Sequence, residues 1–232
     1  MNNPEDMSKG MKPNLPLWSY QLQQNSKLAV RTRKDLEVHL ITRALKDDGF
    51  KQELLANPKA VVEQELGMKL LKGLEINVLE ETEDTVYMVL PCNPYEGMSE
   101  EELQASLGMT YEDVAQWILE QQRNTLLDEE SSVNLIVLAW KNEVFKQEWL
   151  LNPILAIEKL LEQTIELNQN IKLVVEETNI LYLIIPQIVD DFDSLSLAEL
   201  NLDMATALII GSGGAVTSGL CQTNEGVSAC PR

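Results

Sequence analysis

Shifted by ninety-five residues, this chain matches itself, and that internal echo constrains its fold more than any other feature. Phe50-Lys51-Gln52-Glu53 recurs as Phe145-Lys146-Gln147-Glu148, and Asn57-Pro58 recurs as Asn152-Pro153. Glu80-Glu81-Thr82 recurs one residue further out as Glu176-Glu177-Thr178, and Tyr87 and Pro91 recur as Tyr182 and Pro186. Matches of this length, in this order, indicate a duplicated unit, so two like modules are expected within one chain.

Each copy predicts the same elements. An amphipathic helix comes first, over Leu36 to Lys46 and again over Val133 to Lys141, running on through Phe-Lys-Gln-Glu. Asn57 is then placed to cap a new helix with Pro58 in its first turn, where a missing N–H costs nothing, and Asn152-Pro153 does the same. Gly67 is expected to end the first of these helices. Two strands follow. Leu74 to Val78 alternates apolar and polar residues, Glu81 to Thr85 makes a turn, and Val86 to Leu90 returns as the second arm of a β-hairpin. The second copy's strands, Ile171 to Val175 and Leu181 to Ile185, are more uniformly apolar and are expected to lie deeper, against the first copy. Between the copies, Ser99 and Glu102 fit a capping box and Thr110 opens a helix over Tyr111 to Leu127, with Trp117, Ile118 and Leu126 on its apolar face.

The last eighteen residues do not share this pattern. Ala215 to Arg232 has no hydrophobic period and almost no charge, so it cannot bury enough surface to fold alone. It carries two of the three cysteines, Cys221 and Cys230, and the hydroxyls of Thr217, Ser218, Thr223 and Ser228. Nucleophilic thiols beside dehydratable alcohols suit a cross-linked peptide, with the rest of the chain as its carrier.

The net charge of −19 argues against nucleic acid as a partner and favours one with a basic groove. The exception is a basic patch of Lys27, Arg31, Arg33 and Lys34, expected to be a solvated helix start. No apolar run reaches the length of a membrane span, and the first twenty residues lack a secretory signal, so the protein is expected in the cytosol with Cys92, Cys221 and Cys230 reduced. His39 has no second histidine or cysteine near it in sequence and is expected to be structural.

At Asn57-Pro58-Lys59-Ala60, and then at Leu74 to Pro91 with its V-x-E-x-T and Y-x-V-L-P signatures, the chain resembles the α-subunit of nitrile hydratase. It is more similar to the shortened relative of that subunit, the nitrile hydratase-like leader peptide, which fronts the proteusin class of ribosomally made, post-translationally modified peptides. The resemblance covers about residues 35–94 and 130–186. It implies an α+β fold of two tandem modules, each of helices plus a β-hairpin, with a helical connector and a disordered C-terminal tail. The implied organisation is a flexible segment at 1–34, a module at 35–98, a connector at 99–129, a module at 130–189, a linker at 190–214 and a core peptide at 215–232.

The resemblance departs from the enzyme at its metal. Nitrile hydratase clusters three cysteines just after the Leu-Pro of this strand pair. Here Leu90-Pro91 is followed by Cys92-Asn93-Pro94, and Ile185-Pro186 by Gln187, so no metal, cofactor or catalytic residue is expected.

What the resemblance implies instead is a non-enzymatic precursor. Its leader recruits a lanthionine synthetase or other peptide-modifying enzyme, with Leu195, Leu197, Glu199 and Leu200 as a recognition stretch. Ser99 to Leu103 is a candidate duplicate of that stretch. A papain-like peptidase fused to an exporter is expected to cut after Gly213-Gly214 and release the core, although Gly211 stands where such leaders carry a large apolar residue. In the core, Thr217, Ser218, Thr223 and Ser228 would dehydrate, and Cys221 and Cys230 would add to the alkenes as thioethers; a disulfide or azoline rings are the alternatives. Two other readings stand beside this one: a metal-dependent nitrile hydratase-like subunit, and an inactive acidic binding protein whose C-terminus stays unmodified.

Overall fold

The computed structural model describes residues 15–17, 21–23, 27–122, 127–162, 164–165 and 169–187. Within these, helices α1 (Arg33–Lys46), α2 (Asp48–Ala56) and α3 (Pro58–Leu66) precede strands β1 (Glu75–Glu80) and β2 (Thr85–Leu90). A connector supplies α4 (Glu100–Leu107) and α5 (Tyr111–Gln121). The same order then returns as α6 (Glu129–Lys141), α7 (Glu143–Leu151), α8 (Pro153–Leu161), β3 (Asn170–Val175) and β4 (Ile180–Ile185). The class is α+β.

Local chemistry sets the helix boundaries. Thr32 caps α1 reciprocally with Asp35. The predicted helix does not run on through Phe-Lys-Gln-Glu. It stops at Asp47, whose side chain accepts from the Phe50 N–H at 3.0 Å and so starts α2. Asn142 makes the equivalent cap to Phe145 at 3.1 Å. Each of these short polar residues offers the backbone a better bond than another helical turn would. Pro58 and Pro153 open α3 and α8 as expected. Asn152 caps with its side chain, but Asn57 stands at the N-cap without a side-chain bond. Gly67 ends α3 in the left-handed region at φ 67°, and Glu162 occupies the matching place after α8 at φ 52°. A non-glycine there carries about 1–2 kcal/mol of backbone strain. In the connector, Ser99–Glu102 and Thr110–Asp113 form capping boxes, and α5 stops at Gln121 rather than reaching Leu127.

The strands sit where the alternation placed them, but they do not form hairpins. β1 pairs in parallel with β4, from Glu75↔Ile180 to Glu80↔Ile185, and β2 pairs in parallel with β3, from Thr85↔Asn170 to Leu90↔Val175. Every ladder therefore joins one copy to the other. Only the corners keep hairpin character: Thr82 and Thr85 exchange both backbone bonds, as do Glu177 and Ile180.

Continuing either hairpin by one more rung would send the Tyr87 N–H to the Glu80 carbonyl and the Tyr182 N–H to the Val175 carbonyl. Glutamate side chains take those donors instead. Glu81 Oε1 accepts from Tyr87 N at 3.1 Å, and Glu176 Oε1 from Tyr182 N at 3.0 Å. The structural repeat thus matches Glu81 with Glu176, which corrects the one-residue slip of the sequence comparison.

The core divides accordingly. Leu36, Leu40, Phe50, Leu54, Val61 and Leu66 of the first copy cluster with Leu181, Leu183 and Ile185 of the second copy's β4. Leu135, Ile136, Trp149 and Ile157 cluster with Val86, Met88 and Leu90 of the first copy's β2, and with Trp117 and Ile118 of the connector. Each three-helix set is closed by its own first strand and the other copy's second strand. The second copy's β3 is more buried than β1, as its composition predicts, whereas β2 and β4 show the same alternation.

This exchange predicts where a core mutation is felt. Leu183→Ala, in the second copy, is expected to cost about 2–5 kcal/mol. Native-state hydrogen exchange should show the loss first in α1–α3 of the first copy. Protection lost first in α6–α8 would refute the exchanged core.

Candidate functional site

Two places in the described residues concentrate chemistry: the junction between the copies and the corner after β2. At the junction, Arg33 at the start of α1 reaches Glu176 after β3. Its Nη1 donates to Glu176 Oε2 at 2.9 Å and its Nη2 to Glu176 Oε1 at 2.6 Å. Nη2 also donates to the Tyr182 carbonyl at 3.0 Å, and Nε to Glu37 Oε1 at 2.8 Å. Gln122 Nε2 adds a bond to Glu176 Oε2 at 3.3 Å. Burial opposes the guanidinium's charge, but Glu176 and Glu37 outweigh it and hold its pKa above the ordinary arginine value.

The basic patch is therefore not simply a solvated helix start. Arg33 is 6% exposed, and its position at the positive end of a helix is tolerated because two carboxylates surround it. Periodicity gave no sign of this, since the partner lies 143 residues away.

A cavity of about 50 Å³ adjoins the junction, lined by Arg33, Glu37, Tyr87, Gln122, Ser132 and Tyr182 among others. Its volume suits a few water molecules rather than an organic substrate. Four of the arginine's five N–H donors are spent on carboxylates and a carbonyl. The arrangement locks two chain segments together across the junction.

At the corner after β2, the Pro91 carbonyl accepts from Trp140 Nε1 at 2.9 Å, and Asn93 Oδ1 accepts from Tyr95 N at 2.9 Å. Tyr111 Oη donates to the Met98 carbonyl at 2.6 Å and braces the same loop. Cys92 sits half-buried here, its thiol 3.7 Å from the Asn93 carbonyl. Burial, reinforced by Glu96, Glu176 and Glu177, pushes that thiol up to about 11.

A thiolate-bound metal of the kind the resemblance carries does not fit this corner. It offers one sulfur, and the matching corner of the second copy offers Gln187. No group of three His, Cys, Asp or Glu side chains suited to a metal lies among the described residues.

His39 links α1 to α3, its Nε2 lying 2.7 Å from Glu65 Oε2, while Arg43 holds the other oxygen at 2.6 Å. Burial pushes the Glu65 carboxyl up, yet the bonds from His39 and Arg43 outweigh it and keep it below the usual carboxylate range. The histidine is a structural partner, as expected. The suggested duplicate recognition stretch, Ser99 to Leu103, is a capped start of α4 with Leu103 fully buried, so its leucine faces the core. The recognition residues Leu195, Leu197, Glu199 and Leu200, the cleavage residues Gly213 and Gly214, and the core residues Thr217, Ser218, Cys221, Thr223, Ser228 and Cys230 all lie outside the described residues.

No protein-family model matches the chain. It is similar to Polytheonamide B from Bacterium symbiont subsp. Theonella swinhoei (strain pTSMAC1), with 37% identity over 68 residues. The alignment takes in 27% of this chain and 47% of that sequence, so the chain spans about half the length of the curated relative it matches. Among solved structures, two double-histidine variants of the Fe-type nitrile hydratase from Comamonas testosteroni Ni1 align over 90% of this chain and 84% of theirs. Identity is 16% and 18%, with TM-scores of 0.42 and 0.41.

Two measurements check the site. Arg33→Met removes the cation held between two buried carboxylates and is expected to cost about 3–5 kcal/mol in urea denaturation; a cost near zero would show that the junction does not hold the copies together. Cys92, studied with Cys221 and Cys230 replaced by serine, should resist iodoacetamide at pH 8, where roughly one thiol in a thousand is ionised if its pKa is near 11. Its labelling should rise steeply with pH above 9 or on unfolding. Rapid labelling of the folded chain at pH 8 would overturn the assigned burial.

Proposed function

We propose that this chain is the precursor of a ribosomally made, modified peptide, with the folded modules as leader and residues 215–232 as the substrate of maturation. The similarity to Polytheonamide B is the observation that carries the reading, and the proteusin-type resemblance of the repeated module agrees with it. The leader has no turnover of its own. It holds the tail beside the active site of a lanthionine synthetase or another peptide-modifying enzyme, so each successive modification becomes intramolecular and depends on effective concentration rather than on affinity for the tail.

In the tail, Ser and Thr lose water and Cys221 and Cys230 add to the resulting alkenes as thioethers. Ser218 lies three residues before Cys221, a spacing that closes a small ring, and Thr223 or Ser228 serves Cys230. A papain-like peptidase fused to an exporter cuts after Gly214. The net charge of −19 favours a maturase with a basic groove. No helix among the described residues is long and apolar enough to cross a membrane. The single sulfur at the corner after β2, too few for a thiolate metal site, supports this reading over a nitrile hydratase subunit.

The test is binding and mass. Residues 1–214 should bind the modifying enzyme as tightly as the full chain, and 215–232 alone at least about a hundredfold more weakly. Co-expression should remove whole waters from the tail and leave no free thiol. A loss of two hydrogens alone would assign a disulfide. An unmodified tail that binds as tightly as the leader would falsify the proposal.

A further inference from the structure

The ninety-five-residue repeat lets one copy serve as the control for the other. Val144 is 70% exposed, Leu151 85% and Leu155 45%, although α7 and α8 bury a separate apolar side through Trp149, Ala156 and Ile157. The matching first-copy positions are Gly49, Ala56 and Ala60, which are also exposed but carry no large apolar side chain. The same fold thus holds together without large apolar groups at these places, and packing does not explain the second copy's Val and Leu.

These residues also share a side. Val144, Glu148 and Leu151 share one face of α7, and Leu155 and Lys159 share one face of α8 beyond the break at Asn152. The exposed ion pair between Lys159 and Glu148, at 3.4 Å, joins the two faces.

The surroundings identify the visitor. Lys141, three residues before Val144, is bound by Glu100 at 3.0 Å and Glu112 at 3.3 Å. The helix that leads into the stripe thus ends tied to the acidic first turns of α4 and α5, which carry Glu100, Glu101 and Glu102, and Glu112 and Asp113. Two copies meeting here would bring like charges together in a chain that already carries −19. A basic partner meets no such repulsion.

We propose that the exposed face of α7 and α8 is the leader's docking surface for its peptide-modifying enzyme, and that the enzyme receives it in an apolar groove bordered by Lys and Arg. The inference rests on the precursor reading above. It assigns docking to the second copy alone, with the first copy supporting it through the exchanged strands.

The probe is whichever modifying enzyme shifts the mass of the full chain in co-expression. Its affinity is measured by titration for the full-length chain, for Val144→Ala/Leu151→Ala/Leu155→Ala, and for the control Leu71→Ala, which is 59% exposed and off the stripe. Alanine keeps the helices, and an unchanged thermal midpoint will confirm folding. The triple variant should bind at least about tenfold more weakly and the control like wild type, with wild-type binding weakening as salt rises. Equal binding by the triple variant overturns the docking surface and leaves the precursor reading standing. If no enzyme modifies or binds the wild-type chain, both fall. Sedimentation that shows a wild-type dimer and a monomeric triple variant assigns the stripe to a second copy and overturns the proposal.

Discussion

The arrangement depends on two buried glutamates that end a hairpin after a single rung. Glu81 and Glu176 each turn a carboxylate back onto the N–H of a tyrosine on the returning strand. That donor would otherwise extend an antiparallel ladder. Once it is satisfied locally, the strand is free to leave its neighbour in sequence and pair elsewhere, and the partner available is the other copy. Glu176 is held in place in turn by Arg33, an ion pair whose geometry matters because breaking it inside the protein costs more than forming it gains.

From this constraint follows the division of the core. Leu181, Leu183 and Ile185 complete the helices of the first copy, and Val86, Met88 and Leu90 complete those of the second. Neither copy owns a closed core. Two short modules, each of a size that buries little surface by itself, gain the surface-to-volume ratio of one larger body by sharing strands. A body built this way resists local opening while its exposed faces stay free to diverge. The contrast between Val144, Leu151 and Leu155 and the small residues at their first-copy equivalents is such a divergence.

The sites divide along the same line. The cysteine that resemblance would place at a metal is a protonated thiol in a corner braced by Trp140 and Tyr111. The chemistry proposed for this protein lies in the serines, threonines and cysteines of residues 215–232, and the folded part contributes position.

Sequence alone determined the repeat, the strand positions and the helix starts at Pro58, Glu100, Tyr111 and Pro153. These rest on short-range rules: hydrophobic period, capping side chains, a proline at the first turn and a glycine after the last. It also showed that no second cysteine follows Cys92 at the corner after β2, because ligand count within a short segment can be read without coordinates. It did not show that Asp47 and Asn142 break the long helices, since a cap and a continuing turn compete at nearly equal free energy. It placed Arg33 on the surface because local pattern carries no trace of a partner 143 residues away. Above all, the choice between hairpin and exchanged ladder was closed to it. Alternation states which face of a strand is buried but not against which strand. Only the tertiary structure, by satisfying Tyr87 and Tyr182 from glutamate side chains and offering each second strand the other copy's helices, decided the pairing.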